Sequence, residues 1–261
     1  MKISLKNKRA LIGGSSRGLG NAVARQLAMS GAKVTIMARN KDLLQSTVED
    51  LNKLTSVKHD FLVVDYNNWD DYKIKIENYI LNNPIDILVN NTQGPKAGDV
   101  ESVDIEDYQK SFDLLFKSVV HTTMLSLKNM KKMQWGRVIN MASISVKEPL
   151  SYLALSNTIR SAVTTWSKTL ASQIGQNGIT VNNILTGYFD TERIKELNIE
   201  KSKKLSLDID NIYKEMCDLV PAKRLGKPEE FGYLITFLSS NKASYINGVN
   251  IPIDGGLLKS F

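Results

Sequence analysis

The stretch Gly13-Gly14-Ser15-Ser16-Arg17-Gly18-Leu19-Gly20 constrains this chain more than any other. A short apolar run, Ala10-Leu11-Ile12, precedes it and reads as a buried strand. After it, Asn21-Ala22-Val23-Ala24-Arg25-Gln26-Leu27 has apolar positions at helical spacing. A strand, a glycine-rich turn and a helix start, in that order, form a phosphate cradle. Glycine lets the backbone turn tightly and come close to an anion, while the first N–H groups of the helix and its positive dipole end face that anion. Taken alone, the motif also fits a glycine-rich turn without a ligand. No Lys-Ser/Thr follows the last glycine, which argues against the phosphate loop of ATPases and GTPases.

The rest of the chain repeats the strand-then-helix rhythm. Strands are expected at Ala10–Gly13, Lys33–Ala38, Asp60–Val64, Ile85–Asn90, Gly136–Met141, Ile179–Ile184 and near Val249–Ile253. Helices are expected at Leu19–Ser30, Lys41–Lys53, Trp69–Asn82, Ile105–Lys132, Tyr152–Gln176 and Glu229–Ser239. Right-handed crossovers then give an α/β fold, a doubly wound parallel sheet of Rossmann type with helices on both faces. No repeat, low-complexity stretch or proline-rich linker divides the 261 residues, so 1–261 reads as a single domain. Only Thr191–Ala222 breaks the alternation. Ligands of open α/β sheets bind beyond the carboxyl ends of the strands, so an insertion of about 191–222 after the sixth strand suits a substrate lid. A peripheral helical hairpin is the alternative.

Composition excludes several classes. No uncharged apolar run approaches the roughly 18 residues of a membrane helix, and the first nine residues do not resemble a signal peptide. A lone cysteine, Cys217, forms no internal disulfide and suits the cytoplasm. The net charge of +7, from 34 Lys and Arg against 27 Asp and Glu, mildly favours anionic ligands. Those lysines are scattered, with no aromatic platform or reading helix, so a solvated surface explains them better than nucleic acid does. With only His59, His121 and Cys217 available, metal sites and Ser-His-Asp hydrolysis have little support.

Together these motifs resemble the short-chain dehydrogenases/reductases over nearly the full length. Gly14-Ser15-Ser16-Arg17-Gly18-Leu19-Gly20 is similar to that family's G-x-x-x-G-x-G cofactor loop. Asp65 stands after the third strand, where the family touches the adenine, and Asn90-Asn91-Thr92-Gln93-Gly94 resembles its Asn-Asn-Ala-Gly element with Thr and Gln as departures. Thr186-Gly187 stands in place of Pro-Gly, and Thr191 where the family often holds the nicotinamide amide. The stretch from Arg224-Leu225-Gly226-Lys227-Pro228 through Ile253-Asp254-Gly255-Gly256 is similar to that of β-ketoacyl carrier-protein reductases. The resemblance implies a cofactor held by Gly14, Ser16, Arg17, Gly18, Leu19, Gly20, Asp65, Asn91, Gly187 and Thr191. Members that use NAD usually end the second strand with an acid on the ribose 2′-hydroxyl. Ala38 and Arg39 stand there instead, with Arg17 in the loop, and two guanidiniums suit a 2′-phosphate. The expected cofactor is NADP(H).

The catalytic tetrad departs from the family. Its serine matches Ser143, but the positions of its tyrosine and lysine, thirteen and then four residues further on, hold Ser156 and Arg160. Lys168-Thr169-Leu170-Ala171 falls where the family has Lys-Ser-Leu-Ala, which supports this register, and the tetrad asparagine is Leu115. A phenol can be tuned toward neutrality by a nearby cation, whereas an alkyl hydroxyl is a far weaker acid. Arg160 can hold ribose and offset charge but cannot exchange a proton near neutral pH. Tyr152, one turn before Ser156, and Tyr188 are candidates to lend a phenol, with packing or a substrate wall as their alternative role. Halohydrin dehalogenases, relatives with a Ser, Tyr, Arg triad, share the arginine but have lost the glycine cradle kept here.

Two functions follow as expectations. One is an NADP(H)-dependent oxidoreductase acting on a small carbonyl or alcohol, with Ser143, Ser156, Arg160 and Tyr152 at the reacting centre. The other is a non-catalytic NADP(H)-binding scaffold or redox sensor. The resemblance also implies a homo-oligomer, a tetramer, consistent with the apolar excess on Ile105–Lys132 and Tyr152–Gln176.

Overall fold

The computed structural model describes residues 2–260. Seven parallel strands form one sheet in the order β3-β2-β1-β4-β5-β6-β7. They are β1 (Arg9–Ile12), β2 (Lys33–Ala38), β3 (Asp60–Val63), β4 (Ile87–Asn90), β5 (Gly136–Ser143), β6 (Ile179–Thr186) and β7 (Asn250–Ile253). The first four helices are α1 (Gly18–Met29), α2 (Lys41–Leu54), α3 (Trp69–Asn82) and α4 (Ile105–Phe112). Then come α5 (Ser118–Met133), α6 (Ala154–Ile174), α7 (Glu192–Leu205), α8 (Ile209–Leu219) and α9 (Pro228–Leu238).

Strand residues alternate between two cores, as the period of two in a pleated strand requires. Ile12, Ile36, Val89 and Ile184 pack with Val23, Leu44, Val48 and Phe231, burying α1, α2 and α9 on one face. Leu11, Met37, Leu88 and Val181 pack with Ile76, Leu127, Ile159 and Leu170, burying α3, α5 and α6 on the other. With both faces covered, the central strands are almost continuously buried, as a parallel sheet requires. The strand order reverses between β1 and β4, so the carboxyl ends of these strands open a crevice where the cradle sits.

Helix starts show why the local reading works. Asn40, Asn68 and Asp104 cap α2, α3 and α4 by accepting N–H bonds from Leu43, Asp71 and Asp107. The expected β2 and α3 match the structure to the residue. The expected single helix Ile105–Lys132 is instead α4 and α5 joined by a π-helical turn, Asp113–Lys117. Expected boundaries also shift at β5 and β6, which each run two residues further, to Ser143 and Thr186. The hydrogen-bond register there continues, pairing Ser143 with Thr186. Gly13 and Ile85 fall just outside their strands, and Tyr152 lies in a turn before α6. Thr191–Ala222 carries α7 and α8, joined over Ser206–Asp208. No described helix is long and apolar enough to cross a membrane.

Candidate active site

The cradle is held from three strands. Ser15, fully buried, donates its hydroxyl to the Ile12 carbonyl at 2.7 Å and accepts the Met37 N–H at 3.1 Å. Gly13 donates its N–H to the Val89 carbonyl at 3.0 Å. Asn91 donates its amide to the carbonyls of Gly13 and Gly14, both at 3.1 Å. These bonds occupy the loop's carbonyls and leave α1 without a side-chain cap, so its first-turn N–H groups face the crevice. Gly14 has φ 51°, and a Cβ on Gly20 would collide with the Gly14 carbonyl oxygen. Only glycine fits either position.

Above the cradle lies a groove of about 750 Å³. Of the expected cofactor residues, Gly14, Ser16, Arg17, Gly18, Leu19, Gly20, Arg39, Asn91, Gly187 and Thr191 line it. Asp65 is not part of this wall. Its Oδ1 accepts the backbone and side-chain N–H groups of Asn67, at 3.0 and 3.2 Å, and its neighbour Tyr66 faces the groove instead. Reading the sequence also missed Asn40, Met141, Phe189, Glu192 and Arg193 on the groove wall. The last two come from α7, whose capping Thr191 packs within 4.0 Å of where a Gly18 Cβ would stand. Arg17 pairs with Glu196 of α7 at 2.9 Å and lies 3.8 Å from Glu192. Nothing in the local sequence signals these contacts.

Beside the groove, Arg160 lines a cavity of about 10 Å³ with Asn90, Thr92, Leu115 and Asn140, sharing Thr92 and Met141 with the groove. Its guanidinium donates to the Met141 carbonyl at 2.5 Å, and burial pushes its pKa down to about 10. Ser156 stands one turn earlier on α6 and is 7% exposed. Ser143 ends β5, and its Oγ accepts the Ser145 N–H at 3.2 Å. Leu115 is buried within the π turn. Tyr152 is 52% exposed and sits beside Tyr188, whose phenol is pushed up to about 12 by burial and by that neighbour. The structure thus gathers Arg160 and Leu115 around one cavity and pairs the two tyrosines with each other.

A polar seam runs behind this site. Asn90, Asn140, Asn183 and Asn250 are register partners on β4 to β7. Their amides bond in series at 2.7, 3.0 and 2.8 Å, and Asn90 also donates to Thr123 of α5 at 3.0 Å. Amide groups buried in an apolar sheet need such partners, and the in-register ladder supplies them.

The chain is similar to known proteins over nearly its whole length. The family model described as enoyl-(acyl carrier protein) reductase matches residues 14–258. The chain is 29% identical to 3-oxoacyl-(acyl-carrier-protein) reductase FabG of Chlamydia muridarum, over 98% of this chain and 100% of the relative. It is also 29% identical to the NADPH-dependent reductase BacG of Bacillus subtilis, with the same coverage. Among solved structures, L-sorbose reductase from Gluconobacter frateurii, complexed with NADPH and L-sorbose, aligns with a TM-score of 0.94 at 29% identity over 100% of both chains.

Proposed function

The chain belongs to the short-chain dehydrogenase/reductase family, and from that premise we propose that it is an NADP(H)-dependent oxidoreductase of small carbonyl or alcohol substrates, working from an atypical site. The observation that carries the cofactor reading is the cradle opening into a groove lined by both Arg17 and Arg39, with Ala38 rather than an acid ending β2. The groove's size suits such a ligand, and uncapped N–H groups with two guanidiniums suit phosphates. Gly14, Ser16, Gly18, Leu19 and Gly20 would hold the pyrophosphate, and Asn91, Gly187, Thr191 and Arg160 the nicotinamide half. Asp65 stays a candidate adenine contact on the resemblance alone.

When bound, the cofactor supplies the hydride chemistry, and this chain's residues do the rest. A serine hydroxyl can donate one bond while accepting others, and Ser143 already accepts from Ser145. Its proton is therefore available to a substrate oxygen. Arg160, fixed on the Met141 carbonyl, stays charged at neutral pH and offsets negative charge near that oxygen. It does not shuttle protons, and the Ser156 hydroxyl is too weak an acid to replace a phenol. The Tyr152–Tyr188 pair is the candidate source of a phenolic proton, yet burial holds Tyr188 high rather than activating it. Slow proton delivery follows, and losing a positioned general acid costs about 10²–10⁴ in rate.

The test combines NADPH and NADH binding by fluorescence with NADPH consumption across a panel of carbonyls. Tighter NADPH binding is expected, with slow turnover of plain β-keto esters and faster turnover of activated acceptors. Robust keto-ester reduction, unaffected by Tyr152→Phe and Tyr188→Phe, would show this account of the proton to be wrong. The burial of Ser156 and the exposure of Tyr152 favour a second reading, a cofactor-bound scaffold or sensor without turnover. NADPH binding with no consumption by any carbonyl would select it.

The segment 191–222 reads as the lid of one catalytic domain, since Thr191, Glu192 and Arg193 already line the groove. A homotetramer in the cytoplasm, with the single cysteine reduced, completes the proposal.

A further inference from the structure

Glu196 belongs to none of the motifs that define the site, yet it pairs with two of the arginines that line the groove. Its Oε1 lies 2.9 Å from Arg17 Nη1, and its Oε2 lies 3.7 Å from Arg193 Nη1. Glu192, one turn earlier on α7, places Oε2 3.8 Å from the same Arg17 nitrogen. Both arginines line the groove together with Arg39. A carboxylate set between two guanidiniums presents the same chemistry as a phosphate oxygen pair. Glu196 already engages Nη1 of Arg17, so a phosphate that approaches this guanidinium competes for that N–H group and for the charge behind it.

We propose that Glu196 is a specificity-determining residue that competes with the cofactor's 2′-phosphate for Arg17 and so limits the preference for NADPH over NADH. This rests on the NADP(H) reading above. NADH carries no 2′-phosphate and does not need Arg17 released, so its binding is nearly indifferent to Glu196. The Arg17 and Glu196 side chains are 53% and 41% exposed, so water and salt weaken the pair. Exposed pairs of this kind contribute about 0.2–1 kcal/mol, which corresponds to an effect of about 1.4- to fivefold.

The experiment titrates NADPH and NADH into the full chain by fluorescence, at low and moderate salt. It uses wild type, Glu196→Gln, Arg17→Met and the double variant. Glu196→Gln should tighten NADPH about 1.4- to fivefold at low salt and leave NADH within error, with a smaller gain as salt rises. In the Arg17→Met background the same change should do nothing, because the shared partner is gone. Glu192→Gln, at the longer distance, should act in the same direction but less.

An unchanged NADPH-to-NADH ratio in Glu196→Gln would overturn the inference while leaving the cofactor reading intact. So would an equal shift for both cofactors, or a gain that survives in Arg17→Met. Wild-type protein that binds NADPH no more tightly than NADH would overturn the cofactor reading and this inference with it.

Discussion

At the end of β2 a guanidinium and a carboxylate would select opposite cofactors, and Arg39 is the side chain that stands there. Charge-assisted hydrogen bonds contribute about 1.5–3 kcal/mol each, and the exposure of Arg39 brings its share to the low end. Arg39→Asp is therefore expected to weaken NADPH about tenfold and to spare or improve NADH, as read by fluorescence titration. Equal affinities in wild type would remove the argument. Ser156 and Arg160 invite the reverse operation, since they stand where the family keeps its acid and its cation. Ser156→Tyr with Arg160→Lys should raise keto-ester reduction, and each alone should do little, because residues acting as a unit are not additive. Leu115→Asn belongs in the series, since Leu115 lines the same cavity as Arg160. NADPH oxidation by the singles, the double and the triple decides it. No gain in the triple, with cofactor affinity retained, would mean the carbonyl is not positioned as proposed.

Individual elements carry their own consequences. His59 ties the end of α2 to the sheet. Its Nδ1 accepts the Val34 N–H at 3.1 Å, so Nε2 carries the proton and donates to Thr55 Oγ1 at 2.8 Å. Protonating Nδ1 would set two donors against each other. Burial, and then the nearby Lys33, hold the imidazole below its ordinary value of 6.5. Below pH 6.5 the unfolded chain takes up the proton first, so stability is full above 6.5 and falls as pH drops from 6.5 toward the folded pKa. Thermal melts from pH 8 to 5 should show that decline. His121, also lowered by burial first, adds to it in the same direction. His59→Gln should thus be less stable at pH 8 yet show a shallower decline. A melting temperature independent of pH over this range would refute the assignment. The π turn at Asp113–Lys117 was not legible in the sequence. It changes the hydrogen-bond register by one residue inside a continuous apolar pattern, and composition does not mark that change.

For the whole molecule, the aromatic cluster of α4, the π turn and α6, together with Met124 of α5, bears on assembly. Phe112 stacks on Phe116 at 5.0 Å, and Trp166 meets Phe116 edge-on at 6.3 Å. Phe112 and Met124 are 39% and 50% exposed. A second copy would cover such a face, and the proposed assembly is a tetramer. Light scattering at micromolar concentration should give four times the chain mass, and Phe112→Glu with Met124→Glu should lower it while the melt stays cooperative. A monomer in wild type would sink the idea.

Much of this protein was already determined by its sequence. Short apolar strands alternating with amphipathic helices dictated a parallel sheet covered on both faces, and capping residues such as Asn40 and Asn68 set helix starts by local hydrogen bonds. The glycines at 14, 18 and 20 announced the cradle because the backbone takes positive φ at 14 and 18 and leaves no room for a Cβ at 20. These signals act over a few residues, so they survive in one dimension. Only the tertiary structure brought Glu196 to Arg17 across 179 positions, set Tyr152 against Tyr188, and aligned four asparagines across adjacent strands. Such pairings depend on sheet register and on how a distant helix packs, and no short stretch of chain encodes either.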